Sequence, residues 1–220
     1  ALAGCAVLPA AAPAQRGAPP ETRRSDLDEP ASAVTERVGA GYRGGNGTGA
    51  GYTDNCGPLY DGTTTADPDY ALTEAEKTLS LSGYGSEGAL DDASLSLADM
   101  LTYAIQDEYL ARAEYGRITE TFGSVRPFIN IIRAEETHID SLLPVFEAYG
   151  ITPPSDEGTS RAVTPSSLSE AYQAGVNAEV NNIAMYESFL DQDLPDNVRT
   201  VFESLMRASE NHLRAFQNQR

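Results

Sequence analysis

From Ser94 onward, apolar side chains recur at steps of three and four, the spacing that lines one face of an α-helix. The preceding residues lack this period and are dominated by Ala, Pro, Gly, Thr, Ser and Asp. The periodic region predicts four helices. The first covers about residues 96–122 and is ended by Gly123; the second opens at Pro127 and closes at Gly150, with Pro144 expected to kink it. The third starts at the capping box Ser167-x-x-Glu170 and runs to about Asp191, and the fourth runs from near Pro195 to about Gln217. A short helix over residues 73–81, opened by Thr73-x-x-Glu76, is expected to precede them and pack on the domain.

Connection lengths suggest a topology. The first and last loops are a few residues long, so helices one and two, and helices three and four, should be antiparallel neighbours. The middle connection, about residues 151–166, can stretch to roughly 50 Å, whereas a helix of this size is roughly 35 Å long. A long crossover between helices two and three is therefore allowed. The expected organisation is a low-complexity export or anchor and Gly-rich segment at 1–60, an irregular lead-in with one short helix at 61–93, and an all-α four-helix bundle at 94–220.

Each apolar stripe is broken by groups that a core accepts only with a partner. Helix one reads Leu97, Leu101, Ala104, Glu108, Ala111, Tyr115, Ile118, Phe122, with Glu108 its one charge. Helix two reads Phe128, Ile131, Glu135, His138, Leu142, Val145, Tyr149, and the Glu-x-x-His step puts both groups on one face. Helix three reads Leu168, Tyr172, Gly175, Glu179, Ile183, Tyr186, Leu190; helix four reads Val198, Phe202, Leu205, Ser209, His212, Phe216. His138 and His212 are the chain's 2 histidines. Measured from the tight turns, Glu108, Glu135, His138 and Glu179 lie roughly 18 to 22 Å up, with His212 somewhat higher.

A lone core histidine is ordinarily a hydrogen-bonded packing residue, and a lone stripe glutamate often pairs with an arginine such as Arg112, one turn after Glu108. Five such groups at one level point instead to a metal. Mixed carboxylate and imidazole ligands suit iron, manganese or zinc, whereas all-oxygen sites suit calcium or magnesium.

The runs Asp107-Glu108-Tyr109-Leu110-Ala111-Arg112, Ala134-Glu135-Glu136-Thr137-His138, Ala178-Glu179 and Asn211-His212-Leu213-Arg214-Ala215-Phe216 resemble the ferritin-like superfamily, and more narrowly an uncharacterised prokaryotic family of that fold in exported or anchored proteins. The resemblance covers about residues 95–220. It implies a ferritin-like four-helix bundle with di-metal chemistry: a Glu from each of two helices and a Glu-x-x-His from each of the other two. Glu108 and Glu179 match the single glutamates and Glu135 with His138 one pair. In the other pair Ser209 stands before His212, where rubrerythrins and bacterioferritins have a glutamate. That departure leaves one-metal and two-metal occupancy both open. Glu210, rotated 100° from Ser209, should face solvent with Glu203, Arg207 and Arg214, and Asn182 is the better extra group near the site. The resemblance further implies reaction with dioxygen or peroxide, with Tyr115, Tyr172 and Tyr186 nearby as core aromatics. The chain contains no Cys-x-x-Cys module for an internal electron relay.

Composition adds limits. A hydrophobic fraction of 40% suffices for a packed core, and a formal charge of -18 with a pI of about 4.3 argues against nucleic acid or anionic membrane as partners. No apolar run reaches the ~18 residues needed to span a bilayer. Leu2-Ala3-Gly4-Cys5 resembles a lipoprotein lipobox, which would anchor the chain by lipid at Cys5; Ala12-Pro13-Ala14 is a rival signal-peptidase site, and Cys5 with Cys56 is a candidate disulfide. All three readings place the protein outside the cytoplasm, secreted or on the cell surface. Gly39-Ala40-Gly41-Tyr42 repeats as Gly49-Ala50-Gly51-Tyr52 within a Gly-rich linker, and Asn46-Gly47-Thr48 is a glycosylation sequon. Two functional classes follow: a metal-dependent oxidoreductase, or a surface or assembly protein, homo-oligomeric or otherwise, whose bundle is a scaffold and whose metal is structural.

Overall fold

The computed structural model describes residues 64–219; the expected lipid anchor, disulfide, repeat and sequon all lie outside them. The described residues form six helices and no strand: α1 (Gly85–Asp91), α2 (Leu97–Phe122), α3 (Phe128–Tyr149), α4 (Gly158–Arg161), α5 (Leu168–Leu190) and α6 (Asp196–Gln217). None is long and apolar enough to cross a membrane.

The long helices begin and end where their polar punctuation dictates. Ser96 caps α2 by accepting the Asp99 N–H, and the Asp99 carboxylate accepts the Ser96 N–H in return. Gly123 and Gly150 stop α2 and α3 with positive φ. Ser167 caps α5 by accepting the Glu170 N–H, but the Glu170 carboxylate takes the N–H and hydroxyl of Ser166, so the box closes one residue early. α3 runs through Pro144 without interruption.

The core is layered along the bundle. One apolar cluster takes the first half of α2, the second halves of α3 and α5, and the first half of α6, with Leu101, Leu142, Phe189 and Phe202 among its buried members. The other joins Tyr115, Ile118, Phe128, Ile131, Ala171 and Phe216 at the opposite end. The order in which each helix meets the two clusters gives its direction. α2 and α6 run one way, α3 and α5 the other. Because α3 and α5, consecutive among the long helices, are parallel, residues 151–167 must return along the bundle, and α4 in that return lies against α2. α2 pairs with α3 and α5 with α6, and α2·α5 and α3·α6 close the packing.

The lead-in differs from expectation. Within residues 73–81 only 74–77 form a turn and the rest is irregular, although the Thr73 and Glu76 capping bonds are made. Tertiary partners take their backbone groups: the Asp99 carboxylate accepts the Ser80 N–H, and the Glu76 carbonyl accepts the Ala98 N–H. So short a helix has little stability of its own to set against these bonds. The short helix forms instead at Gly85–Asp91, packed on α2 and α5. A β-carbon on Gly88 would stand 2.6 Å from the Tyr103 ring, so the absence of a side chain permits this approach.

Candidate metal centre

Between the two apolar clusters lies a polar layer, one contribution from each long helix. α2 brings Glu108, α3 brings Glu135 and His138, α5 brings Glu179 and α6 brings His212, none more than 4% exposed. The Nδ1 atom of His138 lies 3.0 Å from Glu108 Oε2 and 2.8 Å from Glu135 Oε2. The Nδ1 atom of His212 lies 3.4 Å from Glu135 Oε1 and 3.6 Å from Glu179 Oε1. The imidazole rings are 5.6 Å apart and nearly parallel, with 24° between their planes. All five residues singled out by the stripes therefore meet. They form two buried groups that could each hold a metal ion, Glu108–Glu135–His138 and Glu135–Glu179–His212, with Glu135 common to both.

Electrostatics mark the layer as short of positive charge. Burial pushes the Glu135 carboxyl well above the ordinary range, and neighbouring Glu108 pushes it further. For Glu108, burial also acts upward, but the His138 charge and hydrogen bonds outweigh it and bring the group down to about 2. One of two touching carboxyls thus keeps its proton and the other gives it up. Both ring nitrogens of His212 are buried without a hydrogen-bond partner. Such a group loses its hydration on folding, and the carboxylate oxygens of Glu135 and Glu179 at 3.4 and 3.6 Å face Nδ1 without forming a hydrogen bond. A divalent cation bound through Nδ1 would compensate that nitrogen and neutralise the crowded carboxylates, so these residues fit a metal.

Two tyrosines brace the outer carboxylates. The Tyr186 hydroxyl donates to Glu108 Oε1 at 2.8 Å, and the Tyr115 hydroxyl donates to Glu179 Oε1 at 2.9 Å. Burial, reinforced by those carboxylates, raises both phenols well above their ordinary value, so they remain donors. Tyr172 is elsewhere, donating to the Arg126 carbonyl and stacking on Phe128. Arg112 pairs with Asp156 of the crossover rather than with Glu108, and Glu210 pairs with Arg214 at the surface.

The buried faces of α5 and α2 depart from the apolar stripes by one exchange and one addition. On α5 the buried face includes Asn182, Met185 and Phe189, whereas Ile183 and Leu190 are only half-buried. The addition is Asp107. Its Oδ2 accepts from Asn182 Nδ2 at 2.6 Å, its Oδ1 accepts the Ser86 N–H of α1 at 2.7 Å, and Asn182 Oδ1 accepts the Ser209 hydroxyl at 2.5 Å. Burial raises Asp107 to about 6 against the lowering effect of the hydrogen bonds from Asn182 and Ser86. No apolar stripe marks Asp107, because residues 97–109 of α2 are all buried, under α1 on one side and the crossover on another.

The fold and site together define an all-helical protein with buried Glu and His clusters able to hold metal. Residues 97–219 match the family described as an uncharacterized protein domain, DUF2202, and the chain belongs to that family. It is 29% identical over 126 residues to the uncharacterized protein MJ0754 of Methanocaldococcus jannaschii, a match covering 50% of this chain and 68% of that protein. The crystal structure of hypothetical protein MJ0754 superposes with a TM-score of 0.52 at 25% identity, covering 59% of this chain and 82% of the other.

Proposed function

We propose that the chain is a ferritin-like protein acting outside the cytoplasm, whose four-helix core holds two transition-metal ions, iron foremost, for reaction with dioxygen or peroxide. The observation that carries this reading is Glu135. Its two oxygens are turned to histidines on different helices, Oε2 to His138 at 2.8 Å and Oε1 to His212 at 3.4 Å. A carboxylate that spans two cations has this arrangement, and a glutamate that merely packs in a core does not need it. The absence of a hydrogen-bond partner for either ring nitrogen of His212 supports the same reading.

The ferritin-like assignment is supported by the pairing α2·α3 and α5·α6 with a connection that returns along the bundle, and by one glutamate each from α2 and α5 facing the Glu-x-x-His of α3. Bound transition-metal ions would supply the electrons that reduce the oxidant. Mixed carboxylate and imidazole ligands favour iron or manganese, with zinc as the redox-inert competitor.

The chain's own residues do the remaining work. Glu108 with His138 would hold one ion, Glu179 with His212 the other, and Glu135 would contribute to both. Tyr186 and Tyr115 fix the outer carboxylates by hydrogen bonds, which keeps the ligand layer rigid. The apolar clusters above and below exclude bulk water. Export rests on the lipobox-like Leu2-Ala3-Gly4-Cys5, outside the described residues.

The test is metal analysis of the purified protein followed by an aerobic Fe(II) oxidation assay. The expected result is bound transition metal and oxidation faster than in buffer. Absence of bound metal, with thermal stability unchanged by a chelator, would contradict the proposal.

A further inference from the structure

Ser209 occupies the place on α6 where the two-metal arrangement would have its fourth carboxylate, and the side chains behind it are organised. Asp107 of α2, Asn182 of α5 and Ser209 of α6 are buried to 9%, 5% and 3% exposure and joined in one line by bonds of 2.6 Å and 2.5 Å. The direction of the line follows from its first member. Both oxygens of Asp107 act as acceptors, one for the Ser86 N–H and one for the amide of Asn182. The Nδ2 end of Asn182 must therefore face Asp107, and its oxygen faces Ser209. The single hydroxyl proton of Ser209 is then taken by Asn182 Oδ1 and the Leu205 carbonyl, 3.1 Å away. What the Ser209 oxygen has left is lone pairs.

Charge counting gives this line a use. Two divalent ions bring four positive charges, and Glu108, Glu135 and Glu179 supply three negative ones. Among the described residues, the ion pairs of these glutamates run only to His138 and His212. An uncompensated charge in such a core is strongly unfavourable. Of the other buried carboxylates, Asp99 is engaged at the start of α2 with Ser80 and Ser96, and Asp107, next to Glu108, is the one placed to close the balance.

Resting on the two-metal reading, we propose that Asp107, Asn182 and Ser209 are positioning residues that jointly replace the fourth carboxylate. Asp107 balances the charge of the second ion from behind the ligand layer. Asn182 transmits that polarity to α6 and fixes the Ser209 hydroxyl so that its oxygen, not its proton, is free on the ligand side. On that side the Ser209 oxygen would accept a hydrogen bond and donate none. A triad that only satisfied its own hydrogen bonds would be indifferent to metal.

The experiment moves the charge. Full-length protein is titrated with Co(II), followed by visible absorption and by metal per chain after gel filtration. The native chain should bind two ions. Asp107→Asn should weaken the second by at least about tenfold, the size expected when support behind a ligand is removed. Adding Ser209→Glu to it should restore the second ion, because the carboxylate has been transferred from α2 to α6. Asn182→Ala cuts the line while leaving the Asp107 carboxylate in the chain, at the loss of one hydrogen bond to it, and should show the same loss and the same rescue; it carries the test should Asp107→Asn fail to give a cooperative melt. Native affinity for both ions in the folded variants, or a folded double variant without rescue, would overturn the proposal. A native chain that binds no Co(II) would overturn the metal reading beneath it, whereas a native chain binding two ions beside indifferent variants would overturn this inference alone.

Discussion

Because Glu135 belongs to both buried clusters and Glu108 and Glu179 to one each, replacing Glu135 should remove twice as much metal-linked stability as replacing Glu108. Glu135→Gln is the informative change. The amide keeps the shape of the protonated acid that burial already favours at this position, so the metal-free fold should survive it. At free metal about 100-fold above Kd, one site adds about 2.7 kcal/mol to the stability of the folded state, and two add about 5 kcal/mol. For a chain of this size each kcal/mol shifts Tm by about 2–4 °C. The native protein should therefore gain about 10–20 °C on saturation, Glu108→Gln about half of that, and Glu135→Gln close to nothing. Thermal unfolding followed by circular dichroism, with and without Co(II) or Mn(II), measures all three. A Glu135→Gln protein that keeps the native gain, or equal losses in the two variants, would refute the shared-ligand reasoning.

Metal binding should also release protons. The raised Glu135 carboxyl holds its proton in the metal-free protein, and a cation displaces it, so apparent affinity should rise with pH; calorimetric titrations in buffers of different ionisation enthalpy would reveal the release, and none would argue against it. The same rise has the opposite sign for the metal-free fold: Glu135 contributes most below its ordinary value of 4.5, and that contribution is lost as pH climbs towards its folded value. Tyr186→Phe removes the donor to buried Glu108 and should lower stability by about 1.5–3 kcal/mol in urea unfolding; an unchanged midpoint would mean that the hydroxyl does not support the carboxylate. Gly158→Ala would place a β-carbon 2.2 Å from the Tyr109 carbonyl oxygen, forcing the crossover off α2 at roughly 1–3 kcal/mol, which the same unfolding measurement reads.

The long helices were legible because their ends are local chemistry: Ser167 before Glu170, and the glycines 123 and 150, act on backbone groups within a turn. The five ligand-type residues were legible because a charge on an apolar stripe is conspicuous whatever the helix packs against. The stripe failed where burial is not one-sided. On α2, cover by α1 and the crossover buries Asp107 beside Glu108, and a period of 3.6 residues cannot distinguish the two roles. On α5, hydropathy favours Ile183, yet the residue that turns inward is Asn182, legible from its place one turn beyond Glu179 rather than from the stripe, because Asp107 and Ser209 offer it partners on both sides. The short helix was misplaced for a related reason: Gly85 and Gly88 weigh against a helix in isolation, while tight packing against Tyr103 and Asp107 needs them. Whether Glu135 serves one group or two depends on which oxygen faces which ring, and no sequence pattern encodes that.

The most direct test of the central claim is anomalous diffraction from crystals soaked in Fe(II) or Mn(II), recorded on both sides of the metal absorption edge. Two buried peaks are predicted, one among Glu108, Glu135 and His138 and the other among Glu135, Glu179 and His212, with Glu135 between them. A single peak, or metal only at surface carboxylates with the polar layer empty, would contradict the account.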